Sequence, residues 1–87
     1  MLGTLNHFTS PEFWLHYRKL PDEIQRLADK EFALLKMDPR HPSLCLKKVG
    51  NFWSVRVGLR YRALAKERAE GLVWFFIGPH KSYDKLI

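Results

Sequence analysis

The sequence predicts an α+β fold in one domain, residues 1–87. Three observations carry this reading. Apolar residues recur at helical spacing between Pro21 and Asp38, and strand-like runs separated by glycine turns fill Leu44–Ile77. The hydrophobic share, 46% of 87 residues, is ample for a core, although a chain this short buries only about 60–65% of its unfolded surface.

Taken in order, Leu5–Phe8 carries a faint strand pattern. Ser10-Pro11-Glu12 starts a helix with a hydroxyl cap, a proline at the first helical position and an acid in the first turn. Phe13, Trp14 and Tyr17 give this short helix an aromatic side, and Pro21 interrupts it near Leu20. A second, longer helix follows, with Ile24, Leu27, Ala28, Leu34 and Leu35 toward the core, and an antiparallel helix pair results. Asp38-Pro39 ends it, because a residue before proline avoids the helical region.

Beyond the Pro39–Pro42 loop, Leu44–Val49 reads as a strand closed by Gly50-Asn51. Phe52–Val57 and Tyr61–Lys66 flank Gly58-Leu59-Arg60 and read as a hairpin. Leu72–Ile77 is apolar on both parities, the pattern of a strand buried on both faces. Gly78-Pro79 closes it, leaving His80–Ile87 as a short tail or helical turn.

The charge is local. Leu44–Arg68 holds seven Lys/Arg against one acid, so its +6 equals the formal charge of the whole chain. A balanced scaffold with one cationic stretch is the footprint of a polyanion binder, nucleic acid foremost, or else a solvated basic face. The longest apolar run is too short to span a bilayer, which argues against a membrane partner, and no secretory signal pattern is present. Cys45 has no partner for a disulfide and fits a reducing cytoplasm.

The hairpin gives the sharpest inference. With residues 58–60 as the turn, Val57 pairs with Tyr61, and Arg56 lies directly opposite Arg62. Like charges so placed cost some tenths of a kcal/mol up to roughly 1. Two forked guanidiniums held side by side suit a phosphate group, unless they splay apart into solvent. Val55, Val57, Ala63 and Ala65 occupy the other face and can pack on the helices.

Several stretches together carry a family resemblance. They are Leu20-Pro21-Asp22-Glu23-Ile24, Asp38-Pro39 with His41-Pro42-Ser43-Leu44 and Lys47-Lys48, the hairpin Ser54–Leu64, and Trp74–Leu86. In that order they resemble the RelE/ParE toxins of bacterial type II toxin–antitoxin systems, from about Leu20 onward. The usual first strand is short or missing. The resemblance implies a helical hairpin packed on a curved, mainly antiparallel four-stranded sheet, with the active surface on the sheet's other side. It also implies a cognate antitoxin as partner, with operator DNA bound through that antitoxin. Members that cut messenger RNA do so in the ribosomal decoding site, usually without metal, so no cofactor is expected.

Metal-free RNA cleavage uses the ribose 2′-OH as nucleophile and needs a base, an acid and cations around the phosphorane. Arg56 and Arg62 are the expected stabilisers; Arg62 matches the family's recurring catalytic arginine, and Arg56 stands where members carry a lysine or arginine. His80 is the expected acid–base, because imidazole exchanges protons near neutrality. Tyr83 could bond the phosphate, stack on a base, or simply pack. Lys47, Lys48 and Arg60 are expected to hold the RNA backbone. Two other readings stay open: a gyrase inhibitor on the same scaffold, and a non-catalytic RNA- or protein-binding module. The histidine spacings form no zinc motif.

Overall fold

A computed structural model describes residues 6–87. The order of elements is β1 (Asn6–Thr9), α1 (Pro11–Tyr17), α2 (Asp22–Met37), a 3₁₀ turn (Pro42–Leu44), β2 (Lys47–Val49), β3 (Phe52–Val57), β4 (Tyr61–Arg68), β5 (Gly71–Pro79) and α3 (His80–Leu86). The strands form one sheet in the order β1-β5-β4-β3-β2. Three pairings are antiparallel, and β1 lies parallel to β5, with Asn6 opposite Gly71 and Thr9 opposite Trp74. Among the described residues, no helix is long and apolar enough to cross a membrane.

The sheet therefore has five strands, not the four expected, and the extra one is β1. Asn6-His7-Phe8-Thr9 has little intrinsic reason to be a strand. It forms because β5 offers an edge and Trp74 a partner: the indole Nε1–H donates to His7 Nδ1 at 3.1 Å, and the two rings stack 6.2 Å apart. The predicted start of this strand, Leu5, lies outside the described residues.

The strand predicted over Leu44–Val49 is also corrected, to Lys47–Val49. A 3₁₀ turn over Pro42–Leu44 replaces the start of that strand: His41 Nδ1 caps it by accepting from the Ser43 N–H, and the chain leaves it through Cys45 at a left-handed φ of 47°. That reversal drives Leu44 wholly into the core. At the N-terminus of α1, Ser10 holds the cap position but its hydroxyl makes no capping bond and is buried without a partner. Helix α1 stops at Tyr17, and the Gln25 amide of α2 donates to the carbonyls of Tyr17 and Leu20, tying the turn to the second helix.

The helices and sheet share one core. Phe13, Leu20, Ala28 and Leu35 pack against Val55, Val57, Ala63, Ala65, Trp74 and Ile77, as the alternation along the hairpin required. The opposite face of the sheet carries a smaller cluster, in which Leu64 and Phe76 are covered by Tyr83 of α3, with Phe52 and Phe75 beside them. Both Phe75 and Phe76 reach this face because β5 has a bulge: Leu64 pairs with Phe76 and Ala65 with Trp74, leaving Phe75 over. A bulge bends its strand and increases the local twist.

His7 makes the fold pH-sensitive. Burial first, and then the Lys36 ammonium, hold its imidazole below the ordinary value of 6.5, and the neutral ring accepts the Trp74 bond. A folded-state value below the unfolded one means that the unfolded chain binds more protons. This contribution to stability is complete above pH 6.5 and is lost as the pH falls toward the folded value. Urea unfolding at pH 7.5 and 5.5 should therefore show a lower midpoint in acid, and a smaller drop in His7→Gln. An equal drop in the variant would remove His7 as the cause.

Candidate functional site

The hairpin turn sets the site. Gly58 takes a φ of +65°, and a Cβ there would stand 2.8 Å from Leu27 Cδ2, so glycine both permits the turn and admits α2 beneath it. The resulting register places Val57 opposite Tyr61 and Arg56 opposite Arg62. Directly opposed residues share a face, so this pair lies with Leu64 and Phe52, away from α1 and α2. Both arginines are half-buried. Arg62 Nη1 donates to the Tyr61 carbonyl at 2.9 Å, which pins one arm of its fork. Among the described residues neither guanidinium has a carboxylate partner. On its other side Arg62 faces Gly78, and the ring of Phe76 lies over that glycine.

His80 is brought to the same face by three contacts. Tyr61 pairs with Pro79, and one step further the His80 backbone N–H donates to the Arg60 carbonyl at 2.8 Å. The first residue of α3 is thereby tied to the hairpin turn. The imidazole lies 5.3 Å from the Tyr83 ring, which packs on Leu64, and Leu64 is two residues along β4 from Arg62. Its Nδ1 is 3.1 Å from Asp84 Oδ2. The His80 side chain keeps 48% of its exposure, so the ring is held but reachable.

Tyr83 is only 5% exposed. Its ring seats α3 on the sheet and walls one side of His80; it does not stand free to stack on a base. The cations divide by parity. Lys47 pairs with Ser54, and so lies on the arginine face, whereas Lys48 pairs with Trp53 and points to the helix side of the edge strand. Arg60 is exposed at the turn.

Two features escaped the sequence. Lys66 shares the arginine face, opposite Phe52, with its ammonium 5.0 Å from the Phe75 ring centroid. Strand parity counted from Arg62 would have found it. Asp84 is the other, and its i,i+4 spacing from His80 becomes meaningful only once the tail is a helix. His41, by contrast, is occupied locally: its Nδ1 accepts from the Ser43 N–H at 3.2 Å and lies 2.8 Å from the Ser43 hydroxyl, capping the 3₁₀ turn.

No protein-family model and no curated protein sequence matches the chain. Solved structures do. The RelB–RelE antitoxin–toxin complex from Methanococcus jannaschii aligns over 92% of this chain and 98% of the matched one, at a TM-score of 0.71 and 15% identity. The isolated Escherichia coli RelE toxin aligns over 97% and 100%, at 0.62 and 12%. The YoeB–YefM complex from Staphylococcus aureus aligns over 87% and 97%, at 0.63 and 12%. Two helices on one face of this sheet order, with a terminal helix on the other, are thus a known arrangement, and the chain has the RelE-like toxin fold.

Proposed function

We propose that this chain is the toxin of a type II toxin–antitoxin pair, and that it is an endoribonuclease that inhibits translation by cutting messenger RNA, on the ribosome, inside the cytoplasm. The observation that carries the reading is the Arg56–Arg62 pair, opposed without a carboxylate, with the His80 imidazole on the same face of the sheet. Opposed guanidiniums are costly unless an anion sits between them. A scissile phosphate is such an anion, and its charge grows in the transition state.

In the reaction, His80 removes the proton from the ribose 2′-OH, whose oxygen attacks the adjacent phosphorus. The bond from phosphorus to the 5′-oxygen breaks. The products are a 2′,3′-cyclic phosphate and a 5′-hydroxyl, the latter protonated from water that the open site admits. Arg56 and Arg62 hold the phosphorane oxygens. Tyr83 keeps α3 and the His80 ring in place, and Arg60 and Lys47 meet flanking phosphates. An antitoxin would cover this face, since the matched Methanococcus jannaschii structure is an antitoxin–toxin complex.

Expression in a translating extract, with transcript ends mapped, tests the reading. Cuts ending in cyclic phosphates that vanish with His80→Ala support it. Intact transcripts with trapped gyrase–DNA breaks would replace it with gyrase poisoning, and intact transcripts with undamaged DNA would leave a binding module.

Binding should also depend on salt. Each phosphate neutralised on single-stranded RNA contributes about 0.7 to the log–log slope. Lys47→Ala should flatten the slope by about that amount, and Lys48→Ala, on the other side of the edge strand, by less. Equal slopes for Lys47→Ala and the parent would take β2 out of the interface.

A further inference from the structure

His80 is the first residue of α3 and Asp84 stands one helical turn on, with Nδ1 and Oδ2 3.1 Å apart. Among the described residues this is the single close contact between a basic and an acidic side chain, although the chain carries 15 Lys/Arg and 9 Asp/Glu. Asp84 therefore has basic neighbours in its own helix, Lys81 and Lys85, yet its oxygen is on the imidazole. A carboxylate accepts and cannot donate, so against a neutral ring it takes the proton on Nδ1 and leaves Nε2 as the lone pair.

We infer that Asp84 is a positioning residue for His80: it holds the ring in the Nδ1–H tautomer and so makes Nε2 the proton acceptor. This rests on the proposed cleavage for its use, but not for its existence. Three restraints then fix the imidazole. The Arg60 carbonyl holds the His80 backbone, the Tyr83 ring flanks one face of the imidazole, and Asp84 holds Nδ1. Nε2 is the one ring nitrogen left for a substrate. His41 shows the opposite arrangement in the same chain: a backbone N–H points at its Nδ1, which must therefore be the acceptor, so its proton sits on Nε2. The carboxylate of Asp84 is thus what separates a ring arranged to accept a proton at Nε2 from one arranged to donate there.

Asp84 is 57% exposed in its side chain, so its removal should leave the fold intact, as a melting curve would show. Long-range ¹H–¹⁵N correlation spectra of the histidine rings, recorded where they are neutral, read the tautomer directly. The parent should show His80 protonated on Nδ1, and Asp84→Ala should move that proton largely to Nε2. In single-turnover cleavage, Asp84→Ala should lower the rate by about tenfold, the low end of the loss known for the partners that orient metal-bound histidines, with the half-saturating RNA concentration unchanged. In a His80→Ala background the same change should do nothing further. A parent that cuts no RNA but still shows the tautomer switch would end the nuclease reading and keep the positioning role. A His80 ring protonated on Nε2 in the parent, or one that Asp84→Ala leaves unchanged, would overturn it.

Discussion

Arg62→Ala should lower the rate of RNA cleavage by about 10²–10³, the usual loss when one preorganised donor to a developing anion is removed. In the proposed reaction Arg62 takes that role: the hairpin register sets it opposite Arg56, and the bond from Nη1 to the Tyr61 carbonyl holds one arm of its fork. The loss should fall on the chemical step, with RNA affinity reduced far less, since a phosphate carries more charge in the transition state than in the ground state. Removing either arginine also relieves the repulsion between them, so Arg56→Ala and Arg62→Ala should both raise the melting temperature slightly while lowering the cleavage rate. A variant that is more stable and inactive marks a residue kept for function. Single-turnover kinetics with a short RNA, together with thermal melts, measure both. An Arg62→Ala variant that loses stability and keeps its rate would make the pair structural.

Trp74→Ala should cost about 3–5 kcal/mol, the range for deleting a buried large aromatic. That is a large part of the 5–15 kcal/mol that a domain of this kind has in total. Trp74 is 1% exposed at the centre of the helix-side core, and it also holds β1 through His7. Its loss opens a cavity beside Phe13 and Leu35 and orphans the His7 ring. Trp74→Phe weights the two effects differently, because it removes the indole donor outright but retains an aromatic ring and most of the volume. Urea unfolding should rank the parent above Trp74→Phe and Trp74→Phe above Trp74→Ala. An Ala variant within 1 kcal/mol of the parent would show that the core collapses to fill the space.

Much of this architecture was legible because local signals agree with the global fold. Gly58 with strong alternation on either side specifies the hairpin, and hence the pairing of Arg56 with Arg62. The spacing of Ala28 and Leu35 gives the buried side of α2. What the sequence hid was non-local. Strand β1 exists because β5, more than 60 residues away, presents an edge and an indole. Leu44 looks like a strand residue, but the 3₁₀ turn capped by His41 carries it into the core.

The site followed the same rule. Arg62 and His80 are candidates that their types and their places near turns suggest. That Lys48 faces away, that Tyr83 is buried, and that Asp84 touches His80 depend on which side of an element each residue falls.

The grouping of the two guanidiniums and the imidazole can be seen outright in a crystal structure with a short RNA blocked by 2′-O-methylation at the cut site. The expected result is a single phosphate within hydrogen-bond distance of Arg56, Arg62 and the Nε2 of His80. RNA seated on another face, or a phosphate held by the arginines with His80 turned away from it, would contradict the proposed chemistry.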